Sequence, residues 1–456
     1  MAALPKEVQY NKPMASLPAE TSSMNVNVRP SNGQVFQRDG GDIIQFDLPA
    51  HSFLVPSSLV IRGLITIDPS TATPTSCELF TKAGVPGAQW IQRVETIVGG
   101  SLVESVNDYG RLYSMLSQTN IDYATKAGLQ TEFAFGGNND KGGVGSSAVP
   151  TFNNLNGRLL QKGAAGASAA IAASFPFAIP LGCLLSSCSE LIPLGHMGGV
   201  RIQLTTDQVA NYIRNKTSAT ALPIVKLTEL ELNFDLVDFG GAMDAVVRSM
   251  ANADGDLVLK SQGWNVSNVN LPIQVAGSQS EFVYNVRLSS IKSLVLQGTG
   301  QAKTECINDL YDAVAVAGET GSTQFFIANK AYPQTPLRES NNAAVMSSLR
   351  QAFGEAHDIY HSNIAISNNC YAEIPSMLNS TASTHDEPAA HFVGMNTEKL
   401  STNSVMMSGE SSQLTPINVR LNPSQPTDAA ATLTLYCCYD ALIGINVNSR
   451  QIQVRV

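Results

Sequence analysis

The sequence predicts an all-β chain built twice: two β-sandwich units in tandem, with a few short helices in the loops. Two long alternating stretches and an uncharged composition point there. Residues 225–239 read VKLTELELNFDLVDF, with Leu230, Leu232, Phe234 and Leu236 on one face and Glu229, Glu231, Asn233 and Asp235 on the other. Roughly two hundred residues later, a spacing suited to one all-β domain, comes ATLTLYCCYDALIGINV (431–447). There Leu433, Leu435, Cys437 and Tyr439 share a face. Alternation with period two marks strands with one buried and one wetter side. Hydrophobic residues make up 43% of the chain and charged residues only 14%, against roughly 25% charge in ordinary soluble domains. Cores can be built, but the surface must take its polarity from Ser, Thr, Asn and Gln.

Residues 1–40 are polar and read as an extended N-terminal arm, the first unit as 41–240 and the second as 241–456. Removing residues 1–30 is expected to leave folding intact and to impair assembly. IIQFDL (43–48) is the first strand. SLVIRGLITI (58–67) follows, with Leu59, Ile61, Ile65 and Ile67 on one face and Pro56 turning the chain between the two. In WIQRVETIVGGSLVESV (90–106), Gly99-Gly100 separates two alternating runs. Glycine permits the positive φ that a tight hairpin requires. DYGRLYSMLSQ then sets Tyr109, Leu112, Tyr113 and Leu116 at helical spacing, a short helix over the end of a sheet. FPFAIPLGCLL (175–185), VRIQLTT (200–206) and the long run at 225–239 complete the first unit.

In the second unit SEFVYNVRLSSIKSLVLQ (280–297) reads as one alternating stretch, with Phe282, Tyr284, Val286 and Leu288 inward. AAVMSSLRQAF (343–353) is a helix carrying Val345, Leu349, Ala352 and Phe353 on a stripe. SNIAIS, INVRLN, the run at 431–447 and QIQVRV complete it as strands. The residues of the two halves barely match, so the repeat is one of pattern.

Net charge is −9, no run of Lys or Arg occurs, and the first thirty residues carry only Lys6, Lys12 and Arg29. Direct phosphate binding needs basic stripes or tails, so nucleic-acid binding is excluded as the main activity. Weakly charged surfaces suit broad, repeated protein contacts, because few charges need desolvating. The seven cysteines are Cys77, Cys183, Cys188, Cys306, Cys370, Cys437 and Cys438. Their odd number and spacing match no zinc or redox motif. Cys437 and Cys438 point to opposite faces of a strand and cannot pair, so free, buried thiols are expected. The opening MAALPKEVQYNKPMASLP lacks the apolar core of a secretion signal. The uncharged stretch 163–189 is interrupted by Pro176 and Pro180 and reads as a loop running into a buried strand, not a spanning helix.

No residue is assigned to a catalytic, cofactor or metal role. The glycine-rich GGNNDKGGVGSSA (136–148) lacks the Gly-Lys-Ser/Thr ending of a phosphate loop and reads as surface. In FGEAHDIYH, His357 and His361 would share a helix face beside Glu355 and Asp358. The glutamate next to the first histidine and a third ligand are both missing. HDEPAAH (385–391) is broken by Pro388, and no Gly-x-Ser-x-Gly elbow occurs. No carboxylate pair is singled out for glycoside hydrolysis. The sequons at Asn215, Asn265 and Asn379 would matter only in a secreted chain. The chain reads as a structural protein, not an enzyme.

The order of segments resembles a known family. VETIVGGSLVESVNDYGRLYSML, a strand, glycine hairpin and tyrosine-rich helix, resembles the first jelly roll of double jelly-roll major capsid proteins from the adintovirus, polinton-like and virophage lineage of DNA viruses. SFPFAIPLGCLLSSCSELIPLGHMGGVRIQLTT (174–206) is similar to the family's Phe-Pro strand, small-residue turn, Leu-Pro-Leu segment and alternating strand. LTELELNFDLVDF resembles the close of its first jelly roll. HFVGMNTEKLSTNSVMMSGESSQLTPINVRLN, TLTLYCCYDALIGINV and QIQVRV resemble the end of its second.

The resemblance implies two upright jelly rolls side by side, each of about eight strands in two packed sheets. It implies homotrimers of pseudo-hexagonal outline, tiling an icosahedral virion shell around a DNA genome, often over an internal membrane. A separate single jelly-roll penton protein at the vertices and minor capsid proteins are the implied partners, with no sequence-specific nucleic-acid binding. Two other readings stand beside it. One is a secreted-type tandem β-sandwich binding or hydrolysing carbohydrate, for which only Trp90 and Trp264 offer tryptophan platforms. The other is a vertex or spike component of a virion.

Overall fold

The computed structural model describes residues 21–68, 78–81, 86–120, 159–162, 173–215, 224–240, 242–251, 255–272, 275, 277–300, 313–314, 321–338, 342–353, 392–399, 407–423 and 431–456. Eight long strands make the first unit: β1 (Ser22–Val28), β2 (Ile43–Leu48), β3 (Val60–Asp68), β4 (Ile91–Val98), β5 (Ser101–Asn107), β6 (Ala173–Pro180), β7 (Val200–Thr206) and β8 (Ile224–Asp238). Eight more make the second: β9 (Asp256–Leu271), β10 (Ser280–Tyr284), β11 (Ile291–Gly300), β12 (Ser322–Ile327), β13 (Lys330–Arg338), β14 (Phe392–Asn396), β15 (Ile417–Asn422) and β16 (Ala431–Asn446).

All pairings among these strands are antiparallel, and their order is the same in both units. The first unit has one sheet ordered β1-β8-β3-β6 and a second ordered β2-β7-β4-β5. In the second unit the corresponding sheets are β9-β16-β11-β14 and β10-β15-β12-β13. Adding eight to each strand of the first unit generates the second. This order makes each unit an eight-stranded jelly roll: the chain winds back so that its first and last strands lie side by side.

Local chemistry explains the matching details. The β4–β5 hairpin turns on Gly99 and Gly100, at φ 56° and 81°, and β12–β13 turns on Ala328 and Asn329, at φ 49° and 65°. Both are two-residue loops with positive φ at both positions, the turn whose twist suits paired strands. After each hairpin comes a helix, α1 (Tyr109–Asn120) in the first unit and, numbering the linker helix α2 (Ala242–Met250), α3 (Asn342–Ala352) in the second. Tyr109, Leu112 and Met115 bury one side of α1, and Val345, Leu349 and Ala352 one side of α3.

The long strand at the centre of the first unit changes parity midway. Val225 and Leu227 point inward, then Leu230, Leu232, Phe234 and Leu236 do. A bulge makes this possible: Glu229 and Leu230 together face the single residue Gly63 on β3, with Glu229 at φ 53°. A Cβ on Gly63 would lie 2.6 Å from the Leu230 side chain and 3.1 Å from the Phe177 ring, so a larger residue opposite the bulge would have to displace both. Ile44 and Phe46 on β2, Ile202 and Leu204 on β7 and Val94 on β4 fill the same core from the facing sheet.

Several expectations change. The 280–297 stretch is two strands, β10 and β11, lying in opposite sheets and joined by residues 285–290. Phe282, Tyr284, Val286 and Leu288 are all buried, so alternation continues through a bend that pattern alone does not reveal. The 16-residue β9 escaped notice because its buried positions include Ser261 and Gly263. The β12–β13 hairpin escaped it because Ala-Asn is a weak turn signal. Within the expected arm, residues 22–28 form β1, paired along its whole length with 232–238. That pairing buries Asn233, which bonds Asn25 and Asn27 at 2.5 Å each. Removal of residues 1–30 would therefore strip a sheet strand, contrary to the expectation that folding is untouched. Residues 136–148, SNIAIS (362–367), the histidine motifs and Cys77, Cys306 and Cys370 lie outside the described residues.

Leu232 is fully buried in β8, and an unpaired carboxylate there costs on the order of several kcal/mol. Leu232→Asp is expected to abolish soluble protein, checked by expression yield and thermal unfolding. A chain lacking residues 1–20 should melt like the full chain, whereas one lacking 1–30 should melt several degrees lower.

Candidate assembly surfaces

The two jelly rolls meet along a hydrogen-bonded seam. After β6 the chain makes a tight turn, with the Ser186 and Ser187 N–H groups donating to the Cys183 carbonyl. This turn lies against β9 of the second unit. Ser261 Oγ donates to the Leu184 carbonyl at 2.5 Å, Ser187 Oγ donates to the Gln262 carbonyl at 2.5 Å, and the Gln262 N–H returns to Ser187 Oγ at 3.2 Å. A Cβ on Gly263 would stand 2.6 Å from the Tyr439 ring and 3.0 Å from Leu184. The absence of a side chain is what lets the units approach. Asn268 donates to Asp108 across the same seam. A second contact joins the loop ends, where Gly198 lies against both Gly99 and the Arg450 carbonyl.

Glu104 on β5 sits behind this turn, 5% exposed. Its Oε2 accepts from the Leu184 N–H at 2.8 Å and from the Thr96 hydroxyl at 3.3 Å. Burial pushes its carboxyl up to about 7, partly offset by those two donors. The folded state thus holds the proton more tightly than the unfolded chain, so the stabilisation is full below about pH 4.5 and lost as pH rises through about 7.

A second polar cluster pins the loop before β15 to the second jelly roll. Asp440, fully buried on β16, accepts from Ser290 Oγ at 2.8 Å and from the Ser408 N–H at 3.0 Å. Lys292 lies 3.6 Å from Glu398 and 3.9 Å from Asp440. Burial alone would raise the Glu410 carboxyl, but Lys330 at 3.1 Å and Lys399 at 3.2 Å hold it below the usual range. These pairs offset the cost of burying the carboxylates. Among the described residues no cluster of three or more His, Cys, Asp or Glu could hold a metal ion.

The four described cysteines, Cys183, Cys188, Cys437 and Cys438, are free and buried, as expected. Burial raises the thiols of Cys183 and Cys438 to about 12 and that of Cys188 to about 11, so they stay protonated and inert. Cys437 and Cys438 are both buried although they face opposite ways, because β16 is covered on both sides. Cys437 lies near Tyr284 of β10 in its own sandwich, and neighbouring Tyr436 lies near Asp108 and Arg111 of the first unit. No described helix is long and apolar enough to cross a membrane.

Surface left for partners is apolar or neutral at several edges. Leu102 on edge strand β5 is 59% exposed and Val283 on edge strand β10 is 55% exposed. Met250 and Leu414 are more exposed still. Sequence reading did not find these positions, since an exposed apolar residue on a strand looks like any other half of an alternation.

A scan against protein-family models finds no match for this sequence. A search of curated proteins finds none either. Solved structures do match. The PBCV-1 virus capsid protein aligns with a TM-score of 0.56 at 10% identity, over 98% of this chain and 99% of that one. The mavirus major capsid protein aligns at 0.53 and 11% identity, over 100% and 95%. The Faustovirus major capsid protein aligns at 0.56 and 9% identity, over 96% and 92%. The fold is a double jelly roll. Both halves of the chain take part, since each alignment runs through nearly all of it. At about one identical residue in ten, the likeness is one of backbone and not of side chains.

Replacing Glu104 by Gln should flatten the loss of stability between about pH 4.5 and 7, a difference on the order of a few kcal/mol in the wild type. Parallel denaturant melts of the two proteins across that range measure it.

Proposed function

We propose that this chain is a major capsid protein whose activity is assembly and not catalysis. Three copies form a capsomer, and capsomers tile an icosahedral shell around a DNA genome. The observation that carries the reading is the exact repetition of strand order in two units clamped side by side. Two similar units per chain give a near-sixfold outline from three subunits, which is the shape that packs into a sheet of hexagonal cells. Burial of weakly charged surface drives such contacts without desolvating many charges. The overall backbone likeness to PBCV-1, mavirus and Faustovirus capsid proteins supports the same reading.

In this proposal the first jelly roll runs through residue 240 and draws its outer strand from 22–28, and the second runs from 241 to the end. Residues 1–20 make contacts between subunits or with the inside of the shell. The exposed edges at Leu102 and Val283 meet neighbouring jelly rolls, through a different edge strand in each unit. A vertex protein and minor capsid proteins complete the shell. The protein resides in the virion.

Light scattering after size exclusion should give a stable species of about 145 kDa, three times the 48.4 kDa chain, and negative-stain images should show hexagonal particles. A 48.4 kDa monomer across a wide concentration range would overturn the trimer. Removing residues 1–20 should leave that species intact while lowering the yield of closed shells.

A further inference from the structure

Between α1, the turn after β6 and strand β9 lies a cleft of about 510 Å³. Both jelly rolls line it. We propose that this cleft binds a small organic cation with an apolar body, its ammonium group held by Glu104 and the surrounding aromatic rings.

Three features select that class. The volume falls in the range of small-ligand sites, roughly 300–1,000 Å³. The walls are mainly apolar, with Leu59, Val106 and Leu116 on the first-unit side and Trp264 on the other. Tyr109, Tyr113 and Trp264 contribute three rings, and their positions are set by other contacts: Tyr109 and Tyr113 lie 6.0 Å apart, and Trp264 stacks on Phe353 at 6.2 Å. Rings fixed in this way can meet a cation without further ordering cost.

Charge decides the sign. Among the described residues, Glu104 is the one carboxylate lining the cleft, and no Lys, Arg or His lines it. Both hydrogen bonds to Glu104 reach Oε2, from neutral donors, and among the described residues nothing donates to Oε1 and no cation pairs with the group. An anionic ligand would meet this carboxylate with no counter-charge. A neutral apolar ligand would seal a charge away from water unpaired, or force it to stay protonated. An ammonium group pairs it. The other titratable groups facing Glu104 are Tyr109, Cys183, Cys188 and Tyr439, and Tyr113 also lines the cleft. All are phenols or thiols raised by burial, so Glu104 alone changes charge near neutrality.

The test uses the full chain and three probes with the same six-carbon tail: hexyltrimethylammonium, hexanol and hexanoate. Trp264 fluorescence and titration calorimetry report binding, since the chain's other tryptophan, Trp90, is fully buried elsewhere. The ammonium probe is expected to bind about tenfold or more tightly than either of the others. Its affinity should rise as pH increases from about 6 to about 8 while that of hexanol stays level. Glu104→Gln should erase the preference for the cation. Equal binding of all three probes, tighter binding of hexanoate, no binding of any, or an unchanged preference in Glu104→Gln would each overturn the proposal. If the variant does not fold, the wild-type pH series decides alone: a flat cation affinity overturns it. Oligomeric mass measured on the same samples keeps this outcome separate from that of the capsomer reading.

Discussion

Each jelly roll is closed by the hydrogen bonding of its first strand to its last. In the second unit β9 and β16 pair without a break over sixteen residues, Asp256–Leu271 against Asn446–Ala431. In the first, β1 zips along β8, and side chains more than two hundred positions apart, such as Asn25 and Asn233, bond directly. Until this pairing forms, β8 and β16 have an open edge and their inward residues lack half their neighbours. Once it forms, the central strand is held on both sides, by β1 and β3 in one unit and by β9 and β11 in the other. Such long-range closure forms slowly, because the loop between the two strands must be ordered before their contacts form.

The same strands make the seam. β9 carries Ser261, Gln262 and Gly263 where it meets the turn at 183–188, and the missing side chain of Gly263 allows Leu184 and Tyr439 to close in. Backbone and hydroxyl groups do most of the joining, with little charge. Asp108 accepts from Asn268 across it, and Glu104, a carboxylate 5% exposed, is buried beside that turn. A buried group of this kind reduces stability near neutrality.

Repetition of the strand order with almost no repetition of residues shows how little side-chain identity the jelly roll demands. Gly99-Gly100 and Ala328-Asn329 make the same turn, and α1 and α3 follow the corresponding hairpins with different side chains buried. What recurs is the alternation of inward apolar residues, the position of tight turns and the length of the last strand. The same tolerance explains a backbone shared with capsid proteins at about one identical residue in ten.

Much of the fold was legible in the sequence. Period-two runs at 43–48, 91–98, 200–206, 224–238 and 431–446 and the helices over 109–120 and 342–352 all follow from local spacing, because inward burial imposes a repeat visible within a few residues. β1 and β9 were not legible, since one is polar along an edge and the other buries serine and glycine where a neighbouring unit presses against it. Nor was the bend between β10 and β11, because alternation runs through it unbroken. Nothing in the local pattern marks Glu104; only the packing of the 183–188 turn against it makes it a buried acid. Sequence by itself determined most of the strands, the two units and the low charge, all properties of neighbouring residues. Which strands pair, where the units touch and which carboxylate is buried were decided by tertiary structure, because those contacts join residues tens to hundreds of positions apart whose partners leave no mark on the local pattern.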